Sequence, residues 1–461
     1  MTGHETVPGS FRDPSGFVYV RDGILYRQIN EVYRDAYDQL LESGLYEVLV
    51  GERLLIPHQE ASLGLAASED AHKVLRPQPL MFLSYPYEWC FSQLKDAALA
   101  TLRVQEIALR HGMVLKDASS YNIQFHEGRP VLIDTLSFEA YRENEPWIAY
   151  RQFCQHFLAP LALASRCDHR LTHLLSVFLD GVPLGLAARL LPRRTLLRLP
   201  LLLHLHLQAR AERGLAEQGR ARRGGRVSRQ GLLGILDSLR SGIDALTWRP
   251  KAGMDWADYY QRTNYSQEAW SDKQAVVERF LDLAAPEIVW DLGANTGVFS
   301  RLAARRAKMV VALDADAAAV EANYRQCASD GETRVLPLVV DLTNPSPGVG
   351  WDNRERPALL DRGRPDILLA LALVHHLAIG NNLPLAQIAQ SFARLGDTFV
   401  VEFVPKTDSQ VRRMLETRED IFTDYSQQGF ERAFARHFRI RESHRIRGSE
   451  RQLYLMAKAS G

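Results

Sequence analysis

Ile288-Val-Trp-Asp-Leu-Gly-Ala-Asn-Thr-Gly-Val-Phe-Ser300 is the stretch whose reading decides the fold. A short apolar run ending at Asp291 reads as a strand. A tight turn follows, containing Gly293, Asn295 and Gly297, and a helix begins near Val298. Gly293 lets the backbone turn and lets a ligand approach with no Cβ in the way. Asn295 is among the few non-glycine residues that tolerate a left-handed conformation. Gly297 allows the helix to pack closely on the sheet.

Working outward, Met309-Val-Val-Ala-Leu313 reads as a second strand ending in Asp314, and Val335-Leu-Pro-Leu-Val-Val340 as a third ending in Asp341. From about Met254 onward this strand, turn and helix pattern repeats, which predicts an α/β domain with a mostly parallel sheet. An acid about 20 residues after the glycine turn is placed to bind ribose hydroxyls. A nicotinamide dinucleotide and S-adenosylmethionine both suit these elements, and two details choose between them. Asp291 precedes the glycines, where a carboxylate opposes a pyrophosphate but suits the cationic amino group of a methionine moiety. Asn295 stands where a dinucleotide turn needs a glycine. Asp341 is placed to accept from an adenine amino group, so S-adenosylmethionine fits better.

With these residues in view, the stretch from about 255 to 461 resembles the class I S-adenosylmethionine-dependent methyltransferases. Asp291 to Gly297 looks like their first motif, Asp314 like their ribose-binding acid, and Asp341-Leu342 like their adenine-contacting position. Ile367 to Leu377 resembles the fourth strand and the loop entering the active site, and Phe399 to Val404 the fifth strand. His437–Ile440 and Gln452–Met456 would supply the terminal antiparallel pair. The resemblance implies a Rossmann-like seven-stranded domain that transfers a sulfonium methyl to a nucleophile.

His375 and His376, at the carboxyl end of the fourth strand, are the candidate bases, because imidazole titrates near neutrality. The alternative is that they shape a pocket or cap a helix. Glu402, inside an apolar strand, is either a site residue or the anchor of a neighbouring arginine. Asn344-Pro-Ser-Pro347 opens a long loop to Pro365, expected to be an acceptor-binding element, a lid or a structural cover. Upstream, Tyr259 to Lys273 forms a helical lead, with Tyr265 and Lys273 candidates for the methionine end.

The N-terminal half offers a second constellation. His111 to Phe125 contains Asp117 and, five residues later, Asn122; a β-hairpin then delivers Asp134. These residues resemble the catalytic loop and metal strand of protein kinase-like and aminoglycoside phosphotransferase-like folds. The resemblance implies that Asp117 orients an acceptor hydroxyl while Asn122 and Asp134 hold magnesium. The match is partial: Thr135-Leu-Ser137 departs from the usual residues after the metal acid, no glycine-rich loop is evident upstream, and Lys73 is the nearby lysine candidate. Otherwise these residues cap turns. The aromatic run Ser84–Trp89 suits either sugar stacking or core packing. The whole arrangement is similar to two-domain bacterial methyltransferases of the nodulation-protein type, which favours a carbohydrate or other small-molecule acceptor.

Composition sets the outer bounds. The 461 residues, with 46% hydrophobic and 24% charged, fit two or three globular domains. Lys plus Arg total 56 against 55 Asp plus Glu, and a net charge of +1 gives no global nucleic-acid signal. Cys90, Cys154, Cys167 and Cys327 form no CxxC pair and suit a reducing cytosol. No secretory signal or transmembrane run is visible, so a cytoplasmic protein is expected.

Three regions separate: an α+β domain over 1–170, a Leu/Arg-rich helical segment over 171–250, and the methyltransferase-like domain over 251–461. Leu184 to Leu207 reads as amphipathic helices with a solvated arginine face, a membrane-surface or polyanion contact being the alternative. Arg220 to Arg226 reads as a linker. The expected function is methyl transfer to an oxygen of a sugar-like or small-molecule acceptor. The alternatives are a bifunctional phosphotransferase and a noncatalytic scaffold that binds S-adenosylmethionine.

Overall fold

The computed structural model describes residues 4–218, 225–250, 265–416 and 418–459. The lead over 259–264 and most of the linker at 220–226 lie outside the described residues. The chain divides into two units, one comprising residues 1–249 and 348–357, the other residues 250–347 and 358–461. The Leu/Arg-rich segment thus belongs to the first unit, and so does the middle of the long loop that starts at Asn344.

The first unit begins with a five-stranded antiparallel sheet: His4–Thr6 (β1), Gly16–Arg21 (β2), Ile24–Asn30 (β3), His58–Ala61 (β4) and Ala71–Pro77 (β5), in the order β1-β2-β3-β5-β4. Asp22 and Gly23, both at positive φ, close the β2–β3 hairpin as a two-residue turn requires. That turn sets Tyr19 opposite Tyr26 in the sheet's core. Two helices, Arg34–Glu42 and Leu45–Gly51, separate β3 from β4. The long helix Phe91–Arg110 leads to Met113–Leu115 (β6), then to the hairpin Ile123–His126 (β7) and Arg129–Leu132 (β8), and to Phe138–Ala140 (β9), which pairs with β6. Tyr85, Tyr87 and Trp89 are buried, with the Trp89 indole donating to Ser84 Oγ at 2.9 Å, so this aromatic run packs in the core. Helices Leu184–Leu190, Leu207–Gln218 and Arg229–Asp244 build the Leu/Arg-rich part.

The second unit is one seven-stranded sheet: Ile288–Leu292 (β10), Met309–Asp314 (β11), Val335–Val339 (β12), Ile367–Ala370 (β13), Thr398–Phe403 (β14), Phe438–Arg445 (β15) and Gln452–Lys458 (β16). The order is β12-β11-β10-β13-β14-β16-β15, and only β16 runs antiparallel to its neighbours. Strands β12 and β13 are buried at every position, as strands covered on both faces must be. Helix Gln267–Ala284 buries Val276, Val277, Phe280 and Leu281 in the same core as Val289 and Val310. Edge strand β15 is longer than its sequence suggests, because its largely exposed side chains hide the apolar pattern.

From β10 the chain winds outward through β11 and β12, then crosses back to β13 and β14. That reversal opens a crevice beyond the carboxyl ends of β10 and β13, where open α/β sheets bind ligands.

Candidate active site

The turn after β10 has the backbone its residues suggest. Gly293, Asn295 and Gly297 take φ values of 74°, 51° and 75°. A Cβ on Gly297 would sit 2.1 Å from Asn323 Oδ1, so this glycine permits close approach to helix Ala317–Asp330 rather than to the sheet itself. The Gly293 and Ala294 amides donate to the Leu313 carbonyl at 2.8 and 3.0 Å, locking the turn to the end of β11.

Asp291 is buried and accepts from Ser300 Oγ at 2.6 Å. Burial pushes its carboxyl up to about 6, and the neighbouring Asp314 charge adds to the effect. Asp314, half-buried at the tip of β11, accepts the amide N–H groups of Asn295 and Asp316 at 2.7 and 2.8 Å. Burial raises it to about 6 as well, against those hydrogen bonds. Two carboxylates at adjacent strand ends, both hard to ionise, make a pocket that favours a cation and a hydrogen-bond donor.

Asp341 behaves differently. It is exposed, and its carboxylate accepts from the Thr343 amide at 2.8 Å and the Thr343 hydroxyl at 2.7 Å, so it is turned onto its own loop. The structure brings the first two expected acids together electrostatically, while the third is steadied through its Oδ1 by its own loop. Leu342 is half-buried and lines, with Trp290, Leu292, Leu313 and Pro345, a mostly apolar cavity of about 220 Å³.

Glu402 lies inside β14, fully buried. Lys273 Nζ donates to its Oε2 at 2.6 Å, Tyr265 donates to Oε1, and Arg451 Nη1 reaches Oε1 at 3.4 Å. Burial opposes its ionisation, yet Lys273 and Arg451 hold it below the usual carboxylate range. Arg451 is itself buried and donates to Asp408 at 2.8 Å and to the Tyr265 oxygen at 2.7 Å. Glu402 is therefore an ion-network anchor, and the expectation of a catalytic carboxylate there gives way to its partners. Lys273 is likewise engaged by Glu402, with burial lowering its basicity. Arg451, Asp408 and Ser300 were not singled out by sequence; each meets its partner only through the fold.

His375 and His376 sit just beyond β13, with ring centroids 4.1 Å apart. The loop leading to them holds Ala372 at φ 51°, a conformation alanine rarely adopts, and such strain gathers at functional sites. His375 is fully buried, and among the described residues neither ring nitrogen has a hydrogen-bond partner. Burial, then His376, Arg451 and Lys273, push it well below the ordinary imidazole value. Burial and then Arg451 lower His376 to about 4. Both rings are neutral at pH 7. They add no positive charge to the crevice, and a neutral ring nitrogen can accept a proton.

In the first unit, Asp117 Oδ1 accepts from the Ser119 amide at 2.9 Å and Gln152 Nε2 at 2.8 Å. Burial raises its pKa, and Asp134 adds to the rise. Asn122 Nδ2 reaches Ser137 Oγ at 3.4 Å. Asp134 is paired with Arg27 of β3 and accepts from Ser137 Oγ at 2.5 Å. The hairpin does gather Asp117, Asn122 and Asp134. The guanidinium of Arg27 is ion-paired with Asp134, the expected metal acid. Among the described residues no group of three His, Cys, Asp or Glu side chains could hold a metal ion. Lys73 instead pairs with Glu60 at 2.8 Å.

Within residues 348–357 of this unit, Glu355 is buried and gripped by Arg12 at 2.7 and 2.8 Å, while the Arg356 guanidinium lies 4.8 Å from the Tyr121 ring centre. This part of the long loop is pinned. No described helix is long and apolar enough to cross a membrane.

No protein-family model matches the chain. It is 35% identical over 460 residues to nodulation protein NoeA of Rhizobium meliloti (strain 1021), a similarity spanning 98% of this chain and 96% of that protein. Among solved structures, N-methyltransferase NodS from Bradyrhizobium japonicum WM9 shares 10% identity, with 42% of this chain and 99% of its own covered at a TM-score of 0.33. The magnesium protoporphyrin IX methyltransferase ChlM from Synechocystis PCC 6803, with bound SAM, shares 12% identity, with 45% and 92% covered at a TM-score of 0.31.

Proposed function

The chain belongs to the family of nodulation protein NoeA, and from that premise we propose that it is an S-adenosylmethionine-dependent methyltransferase acting on an oxygen of a sugar-like or other small-molecule acceptor. The observation that carries this reading is the pair Asp291 and Asp314 beside a left-handed glycine turn at the sheet's switch point.

The residues present fit this cofactor. Asp314 offers carboxylate oxygens to a ribose diol, and Asp291 a buried carboxylate to the methionine ammonium. Gly293 supplies the positive φ that the turn needs, and Leu342 stands just beyond the third strand, next to Asp341. The orphaned nitrogens of His375 are buried polar atoms that call for a partner. When bound, S-adenosylmethionine supplies a methyl group on a cationic sulfonium. The two neutral imidazoles do not repel that cation, and either can take the proton an acceptor hydroxyl gives up. The Lys273–Glu402–Arg451 network ties helix Gln267–Ala284 to β14 and to the residue just before β16, fixing the crevice wall.

The first unit is, in this reading, a kinase-like acceptor-recognition module. Its element order supports that relation: antiparallel strands, a long helix, and a hairpin leading to Asp134. The Arg27–Asp134 pair argues against active phosphate transfer, because a fixed cation occupies the metal acid.

The test is a tritiated-methyl screen of cell extract with the full chain, with labelled products identified by mass spectrometry. A labelled small molecule carrying an O-methyl group is expected. Cofactor binding with no labelled product would favour the noncatalytic scaffold instead.

A further inference from the structure

The first unit carries a surface where cations gather without counter-ions. Arg166, Arg194 and Arg198 line, with Thr195 and Leu197, a cavity of about 680 Å³, and no carboxylate borders it among the described residues. The Arg166 Nε is buried and finds no acceptor among the described residues, while its Nη2 donates to the Ala245 carbonyl at 3.4 Å. Burial first, and then the neighbouring Arg198 and Arg194 charges, lower the Arg166 pKa. Asp168, the acid nearest Arg166 in sequence, is already held by Arg170 at 2.7 and 3.0 Å.

Around this cluster, leucines point outward. Leu197 is 87% exposed and Leu199 63%, and Leu190, Leu203 and Leu207 are exposed as well. Leu199, Leu203 and Leu207 recur every four residues along the helical run that starts at Leu199, so they share one stripe. Leu201, Leu205 and Ala209 of the same run are buried. This run is therefore apolar on its inner face and again along an outer stripe, which a helix facing only water does not need. The sequence reading had arginines forming the solvated face; the structure puts leucines there beside them.

We propose that this surface docks the protein on an anionic phospholipid membrane, with Arg166, Arg194 and Arg198 engaging lipid phosphates and the exposed leucines entering the interface. Charge complementarity selects this occupant. A soluble phosphate would satisfy the arginines and leave Leu197 and Leu199 in water. A second copy joined through a two-fold axis would set the same arginine-rich patch against itself. An anionic bilayer meets both needs at once, with arginines at headgroup depth and leucines at the acyl boundary.

The experiment is co-sedimentation of the full-length protein with vesicles of phosphatidylcholine alone and of phosphatidylcholine mixed with phosphatidylglycerol. Binding is expected to the mixed vesicles only, and to weaken as salt is raised. Arg194→Ala and Arg198→Ala should each lower the partition coefficient about fivefold. Leu197→Glu with Leu199→Glu should remove binding while leaving the circular dichroism spectrum intact, since both side chains are exposed. No sedimentation with mixed vesicles, equal binding to both compositions, or variants that sediment like the parent would each overturn the proposal. So would thermal stabilisation by inorganic phosphate without vesicle binding, which marks a small-anion site. A dimer in sedimentation equilibrium that the leucine variants dissolve would overturn it in favour of self-association.

Discussion

Lys273, on the helix before the first strand of the second unit, donates to Glu402 in β14 across 2.6 Å, and both side chains are almost wholly buried. A buried pair of this kind is costly to break from one side: removing Glu402 strands Lys273, and removing Lys273 leaves Glu402 with Tyr265 and the longer contact to Arg451. Lys273→Met or Glu402→Leu alone should therefore destabilise the protein by about 3–5 kcal/mol. The double variant should recover most of that loss, since Arg451 retains Asp408. Urea unfolding of the four proteins in a double-mutant cycle measures the coupling, and strictly additive losses would contradict it.

Asp291 and Asp314 give a pH signature with a definite sign. Both are raised to about 6 in the folded protein, above the ordinary carboxylate value. Between about pH 4 and 6 the folded state therefore holds more protons than the unfolded chain, and these groups make stability fall as pH rises through that window. A cationic ligand favours their ionised forms, so binding near pH 6 should release protons, while binding near pH 8 should release none from these groups. Calorimetry in buffers of different ionisation enthalpy reads this directly, and proton uptake near pH 6 would be the wrong sign.

Gly297→Ala tests the turn. The added Cβ meets the buried Asn323 amide group at 2.1 Å and the residue stays at positive φ. A stability loss of about 1–3 kcal/mol from overpacking is expected, together with weaker cofactor binding. A variant as stable as the parent would mean that the close approach is relieved at no cost.

The histidine pair predicts an unusual pH–rate profile. With His376 lowered to about 4 and His375 held well below the ordinary imidazole value by burial, neither ring gains a proton between about pH 6 and 8. The rate should be flat across that range where a histidine titrating near 6.5 would bend it. His375→Ala should lower kcat by about 10²–10⁴ if its nitrogen takes the acceptor proton. A smaller fall with a raised KM would assign the ring to shaping the pocket.

Much of the second unit was legible because its signals are local: an apolar run, a glycine turn and an acid at the strand tip stand next to one another in the chain. The mostly parallel sheet follows from the same motif repeated, whereas the reversal between β10 and β13 does not. The ion network was not legible, because Arg451 lies 186 residues from Tyr265 and 49 from Glu402. Glu402 could be seen as anomalous inside an apolar strand, but its partners could not be named. Asp341 stands at the expected strand end, and what the motif did not show is that Thr343, two residues on, holds its Oδ1. Arg27 went unnoticed for a related reason, since only the folded sheet carries it to Asp134.

The first unit yields a corresponding expectation about nucleotides. Because Arg27 neutralises Asp134, ATP with magnesium should give no binding heat with the parent protein. Magnesium-dependent nucleotide binding that Asp134→Ala abolishes would restore the phosphotransferase alternative.

The most direct test of the central claim is calorimetric titration of S-adenosylmethionine into the parent chain and into Asp291→Asn and Asp314→Ala. The parent should bind, and each substitution should weaken binding about 10–100-fold, the worth of hydrogen bonds to a charged partner. Parent-like affinity in both variants would contradict the assignment of this crevice.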